Sequence, residues 1–431
     1  MNRFKLFASI FISLALIFAL TGIGQTAGAQ LVRHRYSPDF QALSSAINGA
    51  PLPYIRGTWY YVNPDTGVNT RDGLSITEAV ADIVTAYGRC TSGAGDGIVV
   101  LSAGTGTAAD TTSYLKQSLA WSKHGITTVG IAAPVAMYGR ARIANVEVTT
   151  TDLTTCAQTA NAITREAGSF ITDGWVAGMK GQIVDSGSNN GATFTVETVA
   201  ALSMTVTETL NVQDKAATIS TTLTSYIPEM ILVSGSNNVF LNLNIGNWSS
   251  HALALGGVKV TGHRNYFGGC HIVGAGHATP GAVATAYDLL IDGGQENTFE
   301  RVTFGTDTIL KAAANAEIVF DGTAWRNRFT DCEILVYSET AGKGAVKSMD
   351  ATAFSGVQAF TRTKFIAWKP NGLGSLTSAF IGTKPNSGQI LMDGCALLGW
   401  AAWDSVGGND TVWVVNSDAT ASGGGGIATA P

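Results

Sequence analysis

One pattern returns six times, whole or weakened, in the second half of the chain, and it narrows the fold more than any other feature. An asparagine is followed two residues on by an aromatic, three later by an apolar residue and two later by another. Asn238, Phe240, Leu243 and Ile245 set it out, and Asn265, Phe267, Cys270 and Ile272 repeat it. Asn297, Phe299, Val302 and Phe304 follow, then Asn327, Phe329, Cys332 and Ile334. Weaker copies begin at Gln358 (Phe360, Thr363, Phe365) and Ile390 (Met392, Cys395, Leu397). The leading positions lie 27, 32, 30, 31 and 32 residues apart. Such a period belongs to stacked units, each completing its neighbour's core.

Within a unit, Cys270, His271 and Ile272 alternate apolar and polar, as do Cys332, Glu333 and Ile334, which is the periodicity of a strand with one buried face. The step from Phe267 to Cys270 is odd, so a bend must intervene if both point inward. Glycines at 235, 262, 293 and 322 mark turns near the start of each unit, and the asparagine itself tolerates left-handed backbone. Strand, corner and strand, repeated about every thirty residues, predict an all-β right-handed parallel β-helix with like side chains stacked at about 4.8 Å per coil. An antiparallel sandwich, the alternative, needs turns every 8–12 residues and gives no reason for the long recurrence.

Charged residues make up 13% of the 431, with a formal net charge of −5 and no cluster of Lys or Arg in the body, so nucleic acid is not an expected partner. At the N-terminus, Arg3 and Lys5 precede an apolar run from Leu6 to Ile23, and Ala27-Gly28-Ala29 fits a small-residue cleavage site. Residues 1–29 are therefore expected to be a secretory signal peptide cleaved after Ala29, with no membrane contact once it is removed. A retained anchor is the alternative. Residues 30–57 read as an arm or linker. The five cysteines, Cys90, Cys156, Cys270, Cys332 and Cys395, are expected to be unbridged, because Cys270 and Cys332 fall two coils apart.

From Trp59 the chain reads as a strand, a turn, and a helix capped by Ser75 with Glu78 and running to about Tyr87. Short strands follow at 97–101 and 125–131. This order resembles the capping region of pectin-lyase-like β-helices, and residues 58–165 are assigned to that cap and the first coils. Alternation at Phe194, Val196, Met204 and Val206 interrupts the long period. It predicts a small β-barrel inserted at 166–220, with a long irregular loop as the alternative. Coils resume over 221–418, and 419–431 reads as a flexible tail.

Reaction chemistry makes demands that can be checked. Most glycosidases need two carboxyl groups across the sugar, and no Asp-Asp pair occurs in the chain. A calcium-dependent lyase needs gathered acids and a base. Only Asp288, Asp292 and Asp321 could gather on one flank, with Arg264 or Arg326 nearby, and Asp292 and Asp321 sit beside glycines where aspartate serves turns. His251, His263, His271 and His277 cluster in sequence without converging by spacing, and read as a solvated wall. Arg301 and Asp331 share an outward slot on adjacent coils and read as an exposed ion pair. No catalytic, cofactor-binding or metal residue is assigned, and no cofactor is expected.

The segments 260–272, 290–304 and 320–334, with Trp59 to Pro64, Asp72 to Ser75, Ala120 to His124 and Gly426 to Pro431, resemble β-helix proteins encoded among the structural genes of tailed bacteriophages. The resemblance spans residues 58–431. It implies a non-enzymatic structural or adhesive component of the virion, in a tail, fibre or capsid-associated position. Expected partners are other virion or cell-surface proteins and surface glycans, and a homo-oligomer is compatible with it. Phage proteins are assembled in the host cytoplasm, so a secretory signal also admits an exported bacterial surface protein. The alternative activity is a secreted polysaccharide lyase or glycoside hydrolase acting on acidic polysaccharide.

Overall fold

A computed structural model describes residues 55–427, except 103–111, 133–139, 154–155, 185–186, 213–220, 371, 374–375, 405–411 and 422–423. The expected signal segment and most of the expected arm lie outside the described residues. Among those described, no helix is long and apolar enough to cross a membrane.

Three parallel sheets run the length of the molecule, and the chain visits them in turn to form about nine coils of a right-handed parallel β-helix. One coil shows the circuit. Tyr287–Asp292 lies in the third sheet, Thr298–Glu300 in the first and Thr303–Gly305 in the second, before Ala316–Asp321 returns to the third. Each strand pairs in parallel with its equivalent one coil on, so Phe240 faces Phe267, Phe267 faces Phe299 and Phe299 faces Phe329.

That register turns the sequence period into columns. The rings of Phe240, Phe267, Phe299, Phe329 and Phe360 stack at successive centroid distances of 4.6, 4.9, 4.8 and 4.5 Å, with interplanar angles of 7–11°. Three residues on, a second column holds Cys270, Val302, Cys332, Thr363 and Cys395. The thiols of Cys270, Cys332 and Cys395 donate to the carbonyls of Phe240, Phe299 and Phe360, at 3.5, 3.4 and 3.3 Å. Thr363 makes the same bond to Phe329, so four of the five residues in the slot are small groups that donate, and Val302 fills it by packing alone. All five cysteines are buried, and none forms a disulfide.

The asparagine column differs from expectation. Left-handed backbone falls on the residue before it, at Asn237, Arg264, Glu296 and Arg326. The asparagines are buried and form an amide ladder in which Asn238, Asn265 and Asn297 each donate to the side-chain oxygen of the next, at 3.0–3.1 Å, and Asn327 donates to Gln358 at 3.0 Å. The same oxygens accept the backbone N–H of the preceding asparagine. Each corner thus satisfies its polar groups from the neighbouring coil, as burial requires.

The first helix begins later than Ser75. The Ser75 hydroxyl does accept from the Glu78 amide at 3.2 Å, but that turn goes no further; the helix is Ile83–Arg89, capped by Asp82. Its N-terminal amide bonds Ser113 on the terminal strand of the second sheet, Tyr87 packs 4.3 Å from Trp121 on the terminal strand of the third, and Ile83 and Ala86 share a core with Val62 of the first. The helix therefore lies across the end where all three sheets begin.

Between Ala141–Asn145 and Glu229–Val233 the chain leaves the coils for a seven-stranded antiparallel sheet with its own core, including Ile163, Trp175, Ile183, Phe194 and Leu223. Its strands run from Thr149 to Tyr226, beyond 166–220 at both ends, and its two end strands are not bonded to each other among the described residues. At the far end, Asp418–Ala421 joins the second sheet and Gly424–Ile427 folds back antiparallel on it, so part of the expected tail is a hairpin.

Candidate functional site

Charged side chains gather in a groove on the outer wall and in a sealed cluster beneath the loops that join the second and third sheets.

The groove follows from the corner between the first and second sheets. There a single residue per coil takes left-handed backbone, and the slot holds Asn242, Gly269, Arg301, Asp331, Arg362, Gly394 and Asn416 in order. Glycine, asparagine and aspartate suit that geometry, whereas Arg301 and Arg362 hold it at a cost of roughly 1–2 kcal/mol each. Their side chains line a depression of about 330 Å³ together with Arg140, Glu333 and Lys364. Arg362 grips Asp331 with two bonds, at 2.7 and 2.9 Å, and Lys364 meets Glu333 at 2.9 Å. Arg301 lies 3.5 Å from Glu300. The partner of Asp331 is thus Arg362 rather than the expected Arg301, because the two-toothed guanidinium contact is made in that direction along the row. Arg362 holds the Asp331 carboxyl below its ordinary range, the opposite of what a general acid needs.

The other residues singled out from the sequence do not gather into one site. Arg264 and Arg326 both bind Glu296, the former at 2.6 Å, and Arg326 also lies 4.4 Å over the half-exposed ring of Trp325. Asp292 pairs with Lys259 at 2.8 Å, and Asp321 accepts from the Gly322 amide at 2.8 Å, as a turn aspartate does. His271 is not solvated: it is 6% exposed and its Nε2 lies 2.8 Å from the Gly305 carbonyl. It points outward as alternation requires, yet the connecting loops cover it. His251 stacks on Tyr226 at 4.6 Å, while His277 caps the short helix Ala278–Gly281.

Asp288 belongs to the sealed cluster. It and Glu317 occupy the same position of successive coils, and both are completely buried. Lys311, Lys343 and Asn315 arrive from the loops 306–315 and 338–343 and are no more than 1% exposed. Lys311 bonds Glu317 and lies 3.4 Å from both oxygens of Asp288, while Lys343 lies 3.2 Å from Glu317 Oε1 and bonds Asn315 Oδ1. The Gly274 amide donates to Asp288 at 2.6 Å. Burial raises the Asp288 carboxyl despite Lys311 beside it. Burial would raise Glu317 too, but Lys311 and Lys343 overcome it and hold that group low. Two carboxyls driven apart are a mark of acid/base sites; here both are out of reach of any substrate. Among the described residues, no group of three or more His, Cys, Asp or Glu could hold a metal ion.

The raised Asp288 carboxyl has a pH signature. The folded chain binds this proton more tightly than the unfolded one, so its contribution is complete below the ordinary aspartate value and is lost as pH rises through the folded value. Asp288→Asn removes that slope. In urea unfolding, the difference between variant and wild type is expected to shift in favour of the variant from pH 5 to pH 8; a constant difference would mean that Asp288 folds with an ordinary carboxyl.

The sequence carried a signal for this cluster. Aligning Tyr287–Asp292 with Ala316–Asp321 places Asp288 over Glu317 immediately before an apolar triplet in each, although the coils on either side carry Gly257 and Ala345 there, so the acidic column is two residues long.

No family model and no curated protein matches the chain. Among solved structures, it is similar to the Gp54 tailspike of Acinetobacter baumannii bacteriophage AP22, solved with A. baumannii capsular saccharide. Identity is 10%, with 78% of this chain and 66% of that one covered and a TM-score of 0.20. It is also similar to tailspike gp49 of Pseudomonas phage LKA1, at 11% identity over 78% and 71% with a TM-score of 0.19. A glycoside hydrolase matches at 8% identity over 84% and 96% with a TM-score of 0.34. The fold rests on the strand register, and no residue role is carried over from these structures.

Proposed function

We propose that the chain is a rigid structural and adhesive rod, a component of a phage virion, that meets surface glycans along its coil corners. The observation that carries this reading is the pairing of wall charges from one coil to the next: Glu296 with Arg264 and Arg326, Asp331 with Arg362, Glu333 with Lys364, Lys259 with Asp292. Ionic side chains used this way hold register along a rod and present a patterned surface. The groove supports the adhesive part. Four cationic side chains against two carboxylates give its lining an excess of two positive charges, suited to a carboxylate-bearing saccharide.

Two measurements test the reading. Quantitative mass spectrometry of purified particles is expected to find the chain at fixed stoichiometry, and recovery only as free protein would count against it. Binding to uronate oligosaccharides is expected to weaken about tenfold, some 1.4 kcal/mol, in the double variant Arg301→Ala, Arg362→Ala. Release of new reducing or unsaturated ends from the same polymers, with or without calcium, would transfer the chain to the hydrolase or lyase reading.

A further inference from the structure

Lys343, Asn315 and Glu317 are buried together in an arrangement suited to making a bond. Asn315 and Lys343 immediately precede paired strands of the third sheet, Ala316–Asp321 and Gly344–Ser348, and the Gly344 amide donates to the Asn315 carbonyl at 3.0 Å. The backbone thereby sets the two side chains next to each other, and Lys343 Nζ is within bonding reach of Asn315 Oδ1. The Asn315 amide cannot turn away, because its Nδ2 donates to the carbonyls of Val283 at 2.8 Å and Gly281 at 3.2 Å. Glu317 turns Oε2 to Lys311 and leaves Oε1, 3.2 Å from Lys343 Nζ, without a hydrogen-bond partner of proper geometry.

We propose that Lys343 and Asn315 join in an intramolecular amide bond that ties two successive coils together, with Glu317 carrying the proton. The neutral ε-nitrogen of Lys343 adds to Asn315 Cγ and forms the new C–N bond. The Cγ–Nδ2 bond breaks, and Nδ2 leaves as ammonia with the proton that the attacking amine gives up, relayed through Glu317 Oε1. One amine and one primary amide become one secondary amide and one ammonia, and no oxidant or cofactor is consumed. Desolvation favours the step, since burial pushes the Lys343 amine below its ordinary value against the pull of Glu317 and so enlarges the nucleophilic fraction. Proximity does the rest, because both partners are held by the strand register before reaction. With Lys343 neutral, one of the two cations that hold the Glu317 carboxyl low is gone, so Oε1 can take the proton of the attacking amine while Oε2 keeps its ion pair with Lys311.

Peptide mapping of the full chain decides the matter. Intact mass alone is ambiguous, because an N-terminal Gln30 exposed by signal cleavage also loses ammonia on cyclising. The expected result is a branched tryptic peptide joining Ala312–Arg326 to Phe329–Lys347, uncut after Lys343 and lighter than its two parts by one ammonia. Lys343→Arg and Glu317→Gln are expected to give only linear peptides, with far-UV circular dichroism confirming that the coils form. Linear wild-type peptides cut after Lys343 would overturn the proposal, whether Asn315 is intact or converted to aspartate. A branched peptide in Glu317→Gln would overturn the proton-carrying role.

Discussion

Replacing Asn297 with leucine is expected to destabilise the chain by about 3–5 kcal/mol, although leucine matches the side chain closely in size. The Asn297 oxygen accepts both the backbone N–H and the Nδ2 of Asn265, and its own Nδ2 donates to Gly262 and Asn327. Leucine strands these groups in a corner that water does not enter, and a buried polar group left without a partner costs about 1–3 kcal/mol. Urea unfolding followed by tryptophan fluorescence measures the loss. A change below about 1 kcal/mol would show that the ladder fills space and does little else. Asn297→Gln is the informative companion, because Gln358 already ends the ladder with a longer amide, accepting from the Asn327 backbone N–H at 3.1 Å.

Phe299→Ala is expected to cost a similar 3–5 kcal/mol for a different reason. Its ring lies between neighbours at 4.9 and 4.8 Å, nearly parallel to both, and is edge-on to Phe304 at 5.9 Å. Truncation opens a cavity that the adjoining rings cannot close without breaking the strand register that spaces them. Phe299→Leu keeps most of the volume and is expected to cost less than half as much. Equal losses for the two variants would mean that ring stacking, rather than filled volume, stabilises the column.

The legibility of this chain followed the locality of the forces. Phe240, Phe267, Phe299 and Phe329 announce their column because parallel register converts equal spacing in sequence into vertical alignment in space. The corner between Phe267 and Cys270 was equally plain, since an odd step on one face demands a bend, and Gly269 supplies it with φ of 61°. Less was visible where a local motif competed with tertiary packing. Ser75 and Glu78 form the first turn that a capping pair should, yet the helix waits for Asp82, where Ile83 and Ala86 can enter the core.

The sealed cluster was the hardest to see. Asp288 drew notice only as a member of a wall flank, because nothing in a strand's alternation tells that an outward residue will be roofed by a loop. Lys311, Asn315 and Lys343 come from connections of irregular length, and their convergence depends on how those connections fold over the wall. His271 was misplaced for the same reason. In a coiled architecture, alternation separates inward from outward but not outward from exposed.

The antiparallel strand at residues 424–427 has a consequence for how such a molecule ends. A stack of parallel coils offers its last edge as a template on which another copy could continue indefinitely, the route by which repetitive β structures become fibrils. Reversing one strand at that edge presents backbone donors and acceptors in the wrong sequence for a parallel newcomer. A strand turned back on the second sheet thus disfavours the parallel addition of another copy at that edge.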